Sequence, residues 1–160
     1  LLRSFIRRNL EELERKDVRI RAMGRLEGLP AGPRSDLLSA IRRTEGNGGL
    51  QLILALNYGG RAELADAART IAAEVASGAL DPSAVDEEAI SRRLYLPDVP
   101  DPDLVIRTSG EQRVSNFLLW QSAYSEFHFP EVLWPDFRKE HLDEALRIYS
   151  ARQRRFGGLA

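Results

Sequence analysis

The chain has 160 residues, of which 43% are hydrophobic and 29% charged, with a formal net charge of -1 and no cysteine. This length and composition suit one folded domain and exclude a disordered chain, since a chain of this size buries about two thirds of its unfolded surface. The net charge argues against a general nucleic-acid binder, because affinity for a phosphate backbone requires a basic excess. The lack of cysteine excludes disulfides and thiolate metal sites, and it fits a reducing cytoplasm.

Helical and strand patterns alternate along the chain. Apolar residues at helical spacing predict helices near residues 1–15, 35–45, 61–78, 86–95 and 138–156. Short apolar or alternating runs predict strands near residues 17–24, 50–60, 104–107 and 125–129. Strands joined by helices of ten or more residues indicate crossover connections. We therefore predict one α/β domain over residues 1–160, with a central, mainly parallel sheet flanked by helices.

Unusual residues follow two of the predicted strands, and ligands of open parallel sheets bind beyond the carboxyl ends of the strands. The first such segment is Asn57-Tyr58-Gly59-Gly60-Arg61. Its two glycines allow close backbone approach, and the free N–H groups of the next helix could bind an anion. Paired glycines at this position are a weak signal, so a tight strand-to-helix turn is the preferred interpretation.

The second strand end is more distinctive. Arg107 ends the apolar run "LVIR", and Arg113 and Ser115 follow at even spacings that place all three on one side if the loop is extended. Two guanidinium groups with a hydroxyl match the oxygens of a diphosphate. A surface salt-bridge cluster with Glu111 is the alternative. The anion site is preferred because the arginines lie at the carboxyl end of a strand.

Glu126 lies in "WQSAYSEFHF", a run that is otherwise apolar or weakly polar. A carboxylate in such surroundings must be paired, protonated or metal-bound. Mg²⁺ commonly uses one or two carboxylates together with substrate phosphates. A metal ligand and a carboxylate paired to an arginine are therefore both open interpretations. His128, between two phenylalanines, is interpreted as a strand histidine rather than a catalytic base.

Four segments together are similar to the later part of the cis-prenyltransferase family, which includes undecaprenyl diphosphate synthase and shorter-chain isoprenyl transferases. They are "LNYGGRAEL", "PDPDLVIRTSGEQRVSNFLLWQSAYSEFHF", "LWPDF" and "RQRRFGG". The resemblance implies an undecaprenyl diphosphate synthase-like fold. It also implies a Mg²⁺-dependent transferase that condenses isopentenyl diphosphate with an allylic diphosphate to give a Z-polyprenyl diphosphate. We also expect a homodimer in the cytoplasm that contacts the membrane peripherally through its lipid product. No nucleic-acid partner is expected.

The resemblance also implies roles for individual residues. Arg107, Arg113 and Ser115 match residues that hold the diphosphate of isopentenyl diphosphate, and Glu126 matches a carboxylate that assists the metal site. Arg155 and Gly157 match a terminal R-x-G motif that reaches the partner subunit's active site. The implied substrate-binding set is therefore Arg107, Arg113, Ser115, Arg155 and Gly157, with Glu126 at the metal.

One part of the family pattern has no counterpart in this sequence. An early Asp-Gly-Asn-Gly-Arg run is absent, and its aspartate, the expected catalytic residue, would lie upstream of Leu1. We therefore expect residues 1–160 to be the C-terminal part of a cis-prenyltransferase domain without its N-terminal strand and loop, and to be inactive alone. Two alternatives are a non-catalytic partner subunit and a phosphate-ester-binding α/β module without prenyl chemistry. Neither product length nor primer preference follows from the sequence.

Overall fold

The computed structural model of the protein describes residues 2–152. Within this range the helices and strands follow the predicted alternation. In chain order they are α1 (Leu2–Arg15), β1 (Arg19–Met23), α2 (Ala31–Arg43), β2 (Gln51–Ala55), α3 (Gly60–Ala76), α4 (Glu87–Ser91), β3 (Leu104–Ile106), β4 (Glu126–His128) and α5 (Lys139–Ala151). The predicted α/β class, with parallel strands flanked by helices, is confirmed. None of the helices in the described part of the chain has the length and apolar character needed to cross a bilayer.

The chain divides into two compact units, Leu1–Leu96 and Pro97–Ala160. Each unit contains one pair of parallel strands: β1 with β2 in the first and β3 with β4 in the second. The description of one domain over residues 1–160 stays a prediction.

The first unit is built on a β1–α2–β2 crossover. Its core contains Ile6 and Leu10 from α1, Ile20 from β1, and Leu37 and Ala40 from α2.

Helix α2 begins at Ala31, four residues before the predicted start. Pro33 lies in its first turn, where the missing N–H would have no partner in the helix, so the proline is compatible with the helix start and does not delay it.

Thr44 connects α2 to β1. Its hydroxyl donates to the Ala40 carbonyl over 2.9 Å and accepts from the Ile20 N–H over 3.0 Å, and the residue is fully buried. Asn47 adds a second tie, because its amide donates to the Val18 carbonyl over 2.9 Å. These bonds satisfy backbone groups at the start of β1 that would otherwise be buried without partners.

The second unit differs from the predicted pattern between its strands. Strand β3 pairs in parallel with β4, with Leu104 opposite Glu126. The connection over residues 107–125 consists of turns and contains no regular helix, although a helical crossover is usual. Its backbone has positive φ at Ser109, Gly110, Ser115, Asn116 and Leu118. Left-handed residues at these spacings interrupt both helix and strand, so the connection remains irregular.

Candidate functional site

The segment that follows β3 is fixed by backbone hydrogen bonds to the segment that follows β4. The Arg107 N–H donates to the His128 carbonyl over 2.9 Å, and the Ser109 N–H donates to the Val132 carbonyl over 2.9 Å. The Gly110 N–H donates to the Pro130 carbonyl over 3.0 Å. Arg107 is therefore held at the carboxyl end of the strand pair, as the sequence predicts.

The loop then turns instead of continuing extended. Ser109 and Gly110 have φ values of 69° and 62°, two consecutive left-handed residues. The assumption of an extended loop, from which the sequence analysis placed Arg107, Arg113 and Ser115 on one side, is therefore wrong. The turn, rather than the even spacing, determines where Arg113 lies.

The two arginines nevertheless converge on one carboxylate. Arg113 forms an ion pair with Glu111, and Nη2 of Arg107 lies 3.9 Å from the same Oε2 atom of Glu111. That oxygen is shielded from solvent and lacks hydrogen-bond geometry, so the guanidinium groups interact with it through charge. About a third of the Glu111 side chain is exposed, against two thirds of the Arg113 side chain. The salt-bridge cluster with Glu111, the alternative interpretation from the sequence, is thus present, and the anion site stays a prediction.

An apolar cavity of about 60 Å³ lies beside these charges. Arg107 and Arg113 line it together with Phe117, Phe127 and Phe129, and aliphatic side chains of β3 and the loop complete the wall. Phe127 and Phe129 stack, with ring centroids 5.8 Å apart. The site therefore joins paired positive charge to an apolar surface.

Ser115 belongs to the same loop but has a less defined position in the site. It is exposed and has a φ of 47°. Among the hydrogen bonds of the described residues, none joins Ser115 to Arg107 or Arg113. The structure thus brings the two arginines together without placing the serine hydroxyl against them.

Glu126, the predicted metal ligand, is paired with an arginine. Its N–H donates to the Asp103 carbonyl over 2.9 Å at the start of β4, and its carboxylate accepts a hydrogen bond from Arg152, just after α5. Within residues 2–152 there is no group of three or more acidic or histidine side chains that could hold a metal ion. The arginine pair is one of the two interpretations that the sequence left open, and the metal role stays a prediction. Arg155 and Gly157 lie outside the described residues.

The strand ends of the first unit form a close-packed turn. Gly24 has a φ of 112°, and a Cβ atom there would lie 2.2 Å from the Leu56 carbonyl oxygen. The Arg25 N–H donates to the Asn57 carbonyl over 3.2 Å, while the Asn57 amide donates to the Arg25 carbonyl over 2.8 Å. These reciprocal bonds give the strand-to-helix segment a structural role, in line with the interpretation preferred from the sequence.

A polar network that the sequence analysis missed lies next to this turn. Arg25 donates to both carboxylate oxygens of Asp66, over 3.0 and 2.8 Å, and the Tyr95 hydroxyl donates to Asp66 over 2.7 Å. The Arg25 guanidinium, followed by the Tyr95 hydroxyl and Arg69, holds the pKa of the Asp66 carboxyl well below its usual range. Burial, followed by the Asp66 carboxylate, raises the pKa of the Tyr95 phenol.

Glu63 is the buried member of this region, with 1% of its surface exposed. Its carboxylate accepts from the Tyr58 hydroxyl over 2.6 Å and from the Tyr95 N–H over 3.0 Å. The buried residues of α3 are Gly60, Glu63, Ala67 and Ile71, which follow helical spacing. A glutamate on the inward stripe of an amphipathic helix was therefore a readable signal for a buried, partnered carboxylate.

The second unit is thus suited to an anion that bears an apolar group, because paired guanidinium groups lie beside an aromatic cavity at the carboxyl end of a strand. The family model described as "Putative undecaprenyl diphosphate synthase" matches residues 1–157. The chain belongs to the undecaprenyl diphosphate synthase family.

Similar proteins agree with this assignment. The isoprenyl transferase of Heliobacterium mobile is 51% identical over 159 residues, which cover 99% of this chain and 61% of that protein. The trans,polycis-polyprenyl diphosphate synthase ((2Z,6E)-farnesyl diphosphate specific) of Thermobifida fusca is 51% identical over 156 residues, covering 98% of this chain and 55% of that protein. The chain therefore spans about three fifths of the length of these curated relatives.

A solved structure confirms the predicted fold family. The lavandulyl diphosphate synthase of Lavandula x intermedia, crystallised with dimethylallyl diphosphate, superposes with a TM-score of 0.95 at 38% identity. The match covers 98% of this chain and 68% of that protein.

Proposed function

We propose that this chain provides the acceptor-binding part of a cis-prenyltransferase, which condenses isopentenyl diphosphate with an allylic prenyl diphosphate to give a Z-polyprenyl diphosphate. The main supporting observation is the convergence of Arg107 and Arg113 on one carboxylate oxygen beside an apolar cavity. The polyprenyl and lavandulyl diphosphate synthases among its relatives support a diphosphate substrate.

The arrangement suits the two parts of an isoprenoid diphosphate. Two guanidinium groups can each donate paired N–H bonds to phosphoryl oxygens, and charge-assisted bonds of this kind are the strongest in proteins. The phenylalanine side chains beside them offer an apolar surface that a short hydrocarbon can contact. An inorganic anion would use only the charges, whereas isopentenyl diphosphate would use both surfaces.

The contribution of these residues to the reaction is mostly one of positioning. The C–O bond between the allylic carbon and its diphosphate breaks, the alkene of the acceptor attacks that carbon, and loss of a proton sets the new double bond. Arg107 and Arg113 would hold the acceptor so that its alkene lies near the reacting carbon. Fixing two reactants in this way lowers the entropic barrier to their reaction.

The proposal includes Mg²⁺, with Glu126 as the residue of the described chain that would contribute to its site. Magnesium is commonly bound by one or two carboxylates together with substrate phosphate oxygens and water, so one glutamate is compatible with that mode. Glu126 would have to give up its present partner, Arg152. When bound, the ion neutralises charge that develops on the departing diphosphate.

Further features of the proposal follow from family membership. We propose a homodimer in which Arg155 and Gly157 reach the partner subunit's active site, and a cytoplasmic location with membrane contact through the lipid product. We also propose that these 160 residues alone do not catalyse the condensation. The Asp-Gly-Asn-Gly-Arg run expected to bind the allylic substrate is not in this sequence.

Calorimetry with isopentenyl diphosphate, pyrophosphate and a nucleotide tests the acceptor site. Isopentenyl diphosphate should bind most tightly, and Arg107→Ala or Arg113→Ala should each weaken its binding by about tenfold to a hundredfold, as expected for a lost charge-assisted contact. Arg147→Ala removes an exposed arginine of α5 and serves as the control. Equal affinity for the three ligands would favour a general phosphate-ester module. Unchanged binding in both arginine variants would refute the assignment.

A further inference from the structure

The acceptor site already contains an anion of its own, the Glu111 carboxylate. Its Oε2 atom pairs with Arg113 and lies 3.9 Å from Nη2 of Arg107, which brings both guanidinium groups to one point. This oxygen is buried within the cluster. Glu111 therefore occupies the position that a diphosphate oxygen would need in order to contact both arginines.

The carboxylate has two opposite physical effects at this position. Without a shared anion, two neighbouring guanidinium groups repel each other, so Glu111 favours their convergence beside the cavity. A carboxylate and a phosphoryl oxygen are, however, alternative partners for the same N–H groups. A ligand that uses both arginines must therefore displace Glu111.

Glu111 is only partly enclosed by the groups that hold it. Nη2 of Arg107 lies 3.9 Å from its Oε2 atom, and about a third of its side chain is exposed. The preceding residues, Ser109 and Gly110, form a left-handed turn that is open to solvent. A partly exposed ion pair of this kind contributes at most about 1 kcal/mol.

We propose that Glu111 is a displaceable internal anion. It keeps Arg107 and Arg113 together in the ligand-free protein, and it moves toward solvent when the diphosphate of the acceptor binds. This inference rests on the proposed function of the arginine pair. Glu111 is thus a positioning residue for the two arginines. It also lowers the affinity of the site for every competing anion, because each ligand must first replace the Glu111 carboxylate.

The test is calorimetric titration of the protein with pyrophosphate. Glu111→Gln removes the charge of the internal competitor and should bind pyrophosphate about two- to fivefold more tightly than the wild type, the factor expected for loss of a partly exposed ion pair. Glu131→Gln is the matched control. Glu131 is exposed and close to the same loop, its Cγ lying 3.9 Å from a Cβ built on Gly110, and among the described ion pairs it takes part in none.

Each outcome separates the inference from the function on which it rests. If Glu111→Gln binds no more tightly than Glu131→Gln, the displacement model is wrong even when Arg107→Ala still loses affinity. If Arg107→Ala and Arg113→Ala bind pyrophosphate as the wild type does, the acceptor site itself is wrong and the inference fails with it.

Spectra of the protein labelled with ¹⁵N-arginine give a second readout of the displacement model. Glu111→Gln and added pyrophosphate should perturb the same two Nε–Hε signals, because both treatments remove the same ion pair. Signals that respond to pyrophosphate but not to Glu111→Gln would contradict this model.

Discussion

Replacement of Glu63 tests whether a buried, hydrogen-bonded carboxyl group stabilises the first unit. In Glu63→Ala the Tyr58 hydroxyl and the Tyr95 N–H both lose their acceptor, and the small side chain leaves a cavity. An unpaired buried donor costs about 1–3 kcal/mol, so the loss of unfolding free energy should be about 3 kcal/mol or more. Glu63→Gln should cost about 1 kcal/mol, because its amide oxygen can accept from Tyr95 while its NH₂ donates to the rotatable Tyr58 hydroxyl.

Urea unfolding followed by circular dichroism measures these differences, and amide exchange at Tyr95 locates them. The Tyr95 N–H should exchange faster in Glu63→Ala than in Glu63→Gln, since only the alanine variant removes its acceptor. Glu11→Ala, which changes an exposed glutamate of α1, is the control for loss of charge on a helix. Equal losses of stability for Glu63→Ala and Glu11→Ala would refute the reasoning.

Two further predictions concern the turn and the ion pair beside it. Gly24→Ala should lower the free energy of unfolding by about 2 kcal/mol or more, because φ is 112° at Gly24 and the new Cβ would meet the Leu56 carbonyl. Thermal or urea unfolding measures this loss. Gly46→Ala is the control and should lower the free energy by less than about 0.5 kcal/mol, because no atom lies within 4 Å of a Cβ built on Gly46. Arg25 lowers the pKa of Asp66 in the folded protein, so the free energy of unfolding of the wild type should exceed that of Asp66→Asn by about 1 kcal/mol above pH ~5. This difference in unfolding free energy should decline as the pH falls through the pKa of Asp66 in the unfolded chain, near 3.9, toward its lower pKa in the folded protein. A difference that does not change with pH would contradict the prediction.

The sequence predicted the helices and strands where one periodicity dominates. Strands β1 and β2 lie in short apolar or alternating runs that precede glycines, at Gly24 and at Gly59-Gly60, and α1 and α3 have inward stripes at helical spacing. The start of α2 was predicted less accurately, near residue 35 instead of Ala31. Pro33 is compatible with the first turn of a helix, where its missing N–H would have no partner.

The connection between β3 and β4 could not be predicted in the same way. Its geometry depends on positive φ at Ser109, Ser115, Asn116 and Leu118, and such values are unusual for residues other than glycine. Neighbouring segments impose this conformation, as the bond from the Ser109 N–H to the Val132 carbonyl illustrates. The sequence thus located Arg107 at a strand end but gave the wrong reason for its approach to Arg113.

The three notable glutamates differ in the partners of their carboxylates, and the sequence indicates the kind of partner without identifying the particular residue. Glu63 is buried and its hydrogen-bond donors include the Tyr58 hydroxyl and the fixed backbone N–H of Tyr95, so removing it should mainly reduce stability. Glu126 accepts from one arginine, and a competing cation would have to replace that partner. Glu111 is partly exposed and shared by two guanidinium groups without hydrogen-bond geometry. A bound diphosphate would therefore compete with Glu111 for both arginines, because phosphoryl oxygens are alternative partners for the same N–H groups.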